Sequence, residues 1–307
     1  MVGSNLIQKF IYNKKNIVIA IDNLILGKKK FIKNYLRNKN FFFYKKNLDE
    51  DFLDLKIQKI LKKGVLSEIW LLAANSDIQK GVRDKNIDFK NTYLTNFKTL
   101  NQLNKYTNMK TKIIFSSSSA IYGNYKGIIS ENLNRFNPIS NYGKMKLLSE
   151  KFILTFCKIN KFKGYIFRFP NVVGKNLTHG IIFDLNKKLK MKNKYLKVLG
   201  NGYQQKPYSD VMEIINCMVF IKNKKFNNLV NYFNIGTNDR GIRVKKIVEI
   251  LIKIKKSKKI PTYQNKSAGW KGDVPKYRYS TKKIHNLGFK FKLSSEDSIQ
   301  NAIKLVK

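Results

Sequence analysis

Tyr142 and Lys146 stand four residues apart, so on a helix both side chains lie on one face a single turn apart. A phenol with an ordinary pKa near 10 is a weak base at neutral pH, and a neighbouring ammonium favours the phenolate, which could then take a proton from an alcohol. Spacing alone says little in this chain. Five of the sixteen tyrosines, Tyr35, Tyr106, Tyr122, Tyr142 and Tyr279, have lysine four residues later. Context selects Tyr142. The apolar run from Lys112 to Ser116 leads into Ser117-Ser118-Ser119-Ala120-Ile121-Tyr122-Gly123, which puts hydroxyls at the carboxyl end of a strand, where open α/β sheets bind ligands. A hydroxyl there can hold a substrate oxygen while Tyr142 takes its proton. The alternative is a serine-rich strand end beside a solvated helix.

The elements that must position these residues follow from periodicity. Apolar runs alternate with amphipathic stretches through the first two thirds of the chain, the pattern of an α/β, doubly wound parallel sheet with crossover helices. The expected strands are Asn16 to Ile21, Phe41 to Tyr44, Glu68 to Ala73, Lys112 to Ser116, Gly164 to Phe169 and Tyr232 to Ile235, with helices at Phe52 to Lys62 and Asn141 to Lys158. After Pro170 the rhythm loosens. A helix from Ile181 to Lys190, a strand near Lys197 to Leu199 and a helix opened by Ser294-x-x-Asp297 are expected there. Residues 1–170, with segments near 208–240, are assigned to the sheet domain and 171–307 mainly to a smaller lobe that shares its cleft.

The beginning of the chain departs from this plan. A dinucleotide-binding sheet opens with a strand and a glycine-rich turn that lets the backbone approach a pyrophosphate at a helix N-terminus. Here Met1-Val2-Gly3-Ser4-Asn5-Leu6-Ile7 runs straight into a helical pattern, and only Gly3 of such a turn is present. The expectation is a sheet that lacks its first, central strand, leaving two neighbours with open edges; either the start is misassigned or cofactor binding is impaired. Asp22, ending the strand Ile17-Val18-Ile19-Ala20-Ile21, stands where an acid accepts the adenosine ribose hydroxyls of NAD. It is equally an ordinary turn residue.

Composition narrows the function classes. With 307 residues and 43% apolar content the chain can bury a large core. Its formal charge of +43 suggests polyanions, but only seven of 62 basic residues are arginine and the lysines are scattered. No specific nucleic acid is expected as a partner. Cys157 and Cys217 suggest neither a disulfide nor a metal site, and no apolar run approaches the roughly 20 residues of a membrane span. A soluble, cytoplasmic protein is expected.

Several motifs in order carry a resemblance. Ser116 to Gly123, Ser130-Glu131, Asn141-Tyr142-Gly143-Lys144-Met145-Lys146, Arg168-Phe169-Pro170-Asn171-Val172-Val173-Gly174, Val198 to Gly202, Asn234-Ile235-Gly236, Gly272-Asp273 and Leu287-Gly288-Phe289 together resemble the extended short-chain dehydrogenase/reductases, and among them the nucleotide-sugar epimerases and dehydratases. The resemblance covers essentially the whole chain and implies a Rossmann-type fold and bound NAD. It implies Tyr142 as the general base, Lys146 as its partner and a contact to the nicotinamide ribose, and Ser118 as the hydroxyl that positions the sugar. Gly3, Asp22, Asn23, Leu72, Ala73, Ala74, Asn91 and Ser116 would border the cofactor. Asn171 and Lys206 would hold the nucleotide diphosphate, with Lys206 where an arginine is often found; lysine keeps the charge without the two-pronged geometry.

The reaction implied is epimerisation of a UDP-linked sugar at C4 through a 4-keto intermediate, with NAD regenerated in each cycle. Dehydratase relatives carry Asp and Glu directly after the catalytic hydroxyl; Ser119 and Ala120 stand there in this chain and cannot do that acid/base work. Decarboxylation, epimerisation at another carbon, and a relative that binds a nucleotide sugar without catalysis remain open, as does a polyanion-binding protein with a contiguous lysine face. Where many epimerases have arginine, the chain reads Ala268-Gly269-Trp270-Lys271. Trp270 is either a core or lid aromatic or a stacking surface for base or sugar, and His179 is read as a loop-packing or lid residue. A homodimer is usual in the family resembled.

Overall fold

The structure is a computed structural model and describes residues 1–133, 135–270 and 272–306; Lys271 lies outside them. Four parallel strands form the main sheet, in the order Val230–Asn234, Lys163–Phe169, Lys112–Ser118 and Glu68–Leu71. Alternation of side chains sends each strand into two cores. Ile113, Phe115 and Ile166 pack with Leu100, Ile153, Phe156 and Cys157 on one face. Ile114, Tyr165, Phe167 and Phe233 pack with Ile214, Cys217, Met218 and Ile221 on the other. Burial on both faces accounts for the consecutive apolar residues at the middle of the two central strands, Ile113–Phe115 and Tyr165–Phe167.

Val18–Ile21 and Phe41–Tyr44 form a separate parallel pair, with Ile19 opposite Phe42. The six anticipated strands therefore lie in two sheets: among the described residues no strand pairs with both Val18–Ile21 and Glu68–Leu71. The opening segment is a five-residue helix, Val2–Leu6, followed by a 3-10 turn. Leu6 packs against Val211 and Ile215.

The helix Asn141–Asn160 crosses beside the strand Lys112–Ser118. Ser140 caps it by accepting from the Gly143 amide at 3.1 Å, and Lys161 ends it in the left-handed conformation. At Gly143 a Cβ would lie 2.6 Å from the Ala120 carbonyl oxygen, so only glycine lets the first turn of this helix approach the loop after Ser118.

Beyond Pro170, strand Asn171–Val173 pairs in parallel with Tyr208–Asp210, and Tyr195–Val198 pairs with Ile260–Tyr263. Helices Ile181–Leu189, Val244–Lys255 and Ser295–Leu305 close a third core around Leu185, Leu196, Ile247, Leu251 and Ile303. Ser294 and Asp297 form the capping box read from the sequence.

Candidate active site

A cavity of about 710 Å³ runs between the two sheets and on into the C-terminal lobe. Gly3, Asp22, Leu72, Ala73, Ala74, Ser116, Ser118, Tyr142, Lys146, Asn171 and Lys206 line it. Asn23 and Asn91 are not among its lining residues. Asn23 instead accepts from the Ile25 amide at 3.1 Å, and Asn91 falls in the π-helical turn Phe89–Leu94.

At its centre the half-buried Tyr142 lines the cavity together with Ser118, whose hydroxyl acts on the phenol to favour its ionised form. Ser118 Oγ also accepts from the Ala120 amide at 3.1 Å, which fixes the hydroxyl at the start of the turn. Lys146 is 2% exposed, and its Nζ donates to the Ser116 carbonyl at 2.5 Å. It sits 4.7 Å from the centroid of Phe115 and 5.8 Å from that of Tyr142.

Burial dominates both titrations. It pushes the Tyr142 phenol up to about 12, opposed by the Ser118 hydroxyl and reinforced by the charge of Asp88. It brings the Lys146 ammonium down to about 7, with Glu150 opposing. The spacing led us to expect a lysine cation that lowers the tyrosine pKa. Here desolvation outweighs it, and the lysine itself loses much of its charge near neutral pH.

Asp22 lies at the exposed mouth of the cavity and accepts from the Leu24 amide at 2.7 Å. That contact makes it a turn residue and leaves its second carboxylate oxygen available to a ligand. At Gly3 a Cβ would meet only Leu72 Cδ1, at 3.8 Å, so no tight glycine cradle is built at that point. Asp22 at the mouth and the Tyr142–Lys146 pair at the centre thus give the cavity an acid and a phenol–ammonium pair of the chemistry that fits the hydroxyls of a dinucleotide's two riboses, while the backbone around Gly3 forms no tight cradle.

In the C-terminal lobe Lys206 forms an ion pair with Asp273, and its Nζ lies 5.1 Å from the Trp270 ring centroid. The Gly269 amide donates to the other Asp273 oxygen at 3.0 Å. Asn171 donates to the Pro207 carbonyl and to the Tyr277 hydroxyl, both at 3.3 Å, and Tyr277 is 3.2 Å from Ser119 Oγ. Sequence reading missed Tyr277, which no spacing connects to a residue more than a hundred positions away. Trp270 lines the cavity and stacks on the lysine, so its ring is part of the site. His179 also lines the cavity, and burial lowers its pKa. Among the described residues no group of three or more His, Cys, Asp or Glu could hold a metal ion.

Comparison with known proteins shows the family. Residues 1–236 match the model of the NAD dependent epimerase/dehydratase family. An uncharacterized UDP-glucose epimerase of Bacillus subtilis is 27% identical over 273 residues, which is 87% of this chain and 83% of the relative. A UDP-glucose 4-epimerase of Lactobacillus helveticus is 25% identical over 254 residues, covering 77% and 73% of the two chains. The solved structure of the UDP-glucose 4-epimerase of Thermotoga maritima with UDP-glucose superposes with a TM-score of 0.83 at 26% identity, over 99% of this chain and 95% of that one. With the matched segment spanning most of the sequence and the Tyr142–Lys146 pair set beside Ser118 at the end of a sheet strand, the chain belongs to the NAD-dependent epimerase/dehydratase family.

Proposed function

We propose that this protein epimerises a UDP-linked sugar at C4 through a 4-keto intermediate. The observation that carries the reading is the convergence of Tyr142, Ser118 and Lys146 on one cavity, with Asp22 toward one end and Asn171 and Lys206 toward the other. NAD, when bound, supplies a hydride acceptor that returns the hydride within the same cycle. Asp22 would hold its adenosine ribose, Lys146 and Tyr142 its nicotinamide ribose, and Leu72, Ala73 and Ala74 one wall.

The chain's own work is proton transfer and orientation. Ser118 holds the sugar hydroxyl by a hydrogen bond, and Tyr142 takes the hydroxyl proton and later gives it back. Because burial favours the neutral phenol, the protonated Tyr142 is a stable reservoir between the two transfers. Lys146 in its charged form offsets the phenolate. Asn171 and Lys206 hold the diphosphate, for which Lys206 would share its charge with Asp273. Ser119 and Ala120 offer no carboxyl group for eliminating water, which separates this site from a dehydratase.

In this reading residues 1–170, with segments near 208–240, carry the cofactor, and 171–307 mainly choose the sugar. A homodimer formed through the helical face bearing Phe89 and Leu148, 44% and 43% exposed, would bury these side chains. The two free, buried cysteines suit a reducing cytoplasm. The separation of the strands into two sheets favours a second reading, a relative that holds NAD weakly and turns over little.

The test is purification, assay of NAD released on denaturation, and turnover with UDP-glucose, UDP-galactose, UDP-glucuronate and UDP-N-acetylglucosamine. The 4-epimerase reading expects interconversion of at least one pair and a loss of about 10²–10⁴-fold in kcat for Tyr142→Phe. Bound NAD with no turnover in this panel would reject the 4-epimerase reading, and no NAD at all would favour the second.

A further inference from the structure

Three successive residues of the strand Lys112–Ser118 are each tied to the helix Asn141–Asn160. The Ser118 hydroxyl meets Tyr142, the Ser116 carbonyl receives Lys146 Nζ, and the Ser117 hydroxyl donates to Glu150 Oε1. Tyr142, Lys146 and Glu150 follow at four-residue intervals and so share a helix face. Glu150 is also gripped by Arg168, with Nε to Oε1 at 3.0 Å and Nη2 to Oε2 at 2.8 Å. Ser117 and Arg168 stand opposite each other in the parallel ladder. One carboxylate on the helix therefore engages two adjacent strands at a single rung.

The surroundings hold the guanidinium as firmly. Its Nη1 donates to the Tyr122 hydroxyl at 2.6 Å, and that hydroxyl donates to Asn234 Oδ1 at 3.0 Å. Tyr122, Phe136 and Tyr232 lie with ring centroids 5.2, 5.1 and 4.9 Å from the guanidinium carbon. The paired side chains are only 4% and 3% exposed. A buried ion pair is weak ground for stability, because desolvation offsets much of the attraction. A two-pronged arginine–carboxylate contact is, however, strongly directional.

We propose that Glu150, held by Ser117 and Arg168, is a positioning residue that fixes the rotation of the helix Asn141–Asn160 against the strand end, so that Tyr142 faces Ser118 and Lys146 faces the Ser116 carbonyl. A slip of one residue would turn the helix by about 100° and break both contacts. Glu150 does not line the cavity and acts through the residues that do. The inference rests on the Tyr142–Lys146 reading of the site.

Its test uses the full chain with NAD present and the variants Ser117→Ala, Ser117→Thr and Glu150→Gln/Arg168→Met; the double change removes the pair without leaving one buried charge alone. Two readouts are taken: kcat against KM for the UDP-sugar, and amide hydrogen exchange of residues 141–150. Ser117→Ala is expected to lower kcat about tenfold or more with KM within about twofold, Ser117→Thr to restore most of it, and the double variant to lose about 10²-fold, the scale of a small misplacement of reacting groups. Exchange at 141–150 should quicken while that of strand Lys163–Phe169 is unchanged. A kcat within about twofold of wild type in the double variant overturns the proposal. Should the wild type turn over no UDP-sugar, the reaction reading fails by itself and exchange alone decides the positioning role, faster in the double variant supporting it and unchanged rejecting it.

Discussion

Replacing Lys146 by methionine should stabilise the fold at neutral pH while abolishing activity. The ammonium is 2% exposed and its pKa falls from 10.5 to about 7, so the charged form is disfavoured by on the order of 5 kcal/mol relative to the unfolded chain. Against this stands the hydrogen bond to the Ser116 carbonyl, worth roughly 1.5–3 kcal/mol for a charged donor. Lys146→Met has similar length and no charge, and the net expectation is a gain on the order of 2–3 kcal/mol at pH 7. The sign with pH follows from linkage. Between about 7 and 10.5 the unfolded chain holds a proton on this lysine that the folded chain has released, so wild-type stability contributed by this group rises with pH through that window and the cost is full below it. The variant's advantage must therefore shrink from pH 7 toward pH 10. Urea melts of both proteins at pH 7, 8.5 and 10 measure it, and the difference between them cancels the repulsion shared by two chains of nearly equal charge. A variant less stable than wild type at pH 7, or a difference that does not change with pH, would refute the reasoning.

Asp22→Asn should weaken NAD binding by about tenfold, the effect of losing roughly 1.4 kcal/mol; fluorescence titration measures it, and an unchanged affinity would leave Asp22 as a turn residue only. Phe167→Ala, at a side chain with no exposure stacked on Phe233 at 5.5 Å, should cost about 3–5 kcal/mol in urea unfolding. Gly123→Ala should destabilise by at least about 2 kcal/mol, since φ is +65° and a Cβ would lie 1.8 Å from the Asn137 carbonyl oxygen; a melt matching wild type would show that the loop rearranges freely.

The sequence by itself determined the strands and the helix that flank the site. Their signal is local: Ile113–Phe115 and Tyr165–Phe167 are runs of three apolar residues buried on both faces of their strands, and Ser140 ahead of Tyr142 is a cap that can be read from neighbours alone. That a hydroxyl of the cluster Ser116–Ser119 would stand near Tyr142 was legible because a strand end followed by one loop and a helix admits few arrangements, whereas the choice of Ser118 rested on the family resemblance. Three matters were decided only in the tertiary structure. Whether the anticipated strands form one sheet or two depends on what lies between Val18–Ile21 and Glu68–Leu71, a fact of space and not of either segment. The direction of the Tyr142 and Lys146 titrations depends on burial, which overrides the mutual effect that spacing predicts. The clamp of Glu150 by Ser117 and Arg168 joins a helix to two strands whose facing residues are set by ladder register, and register emerges only when the strands have paired.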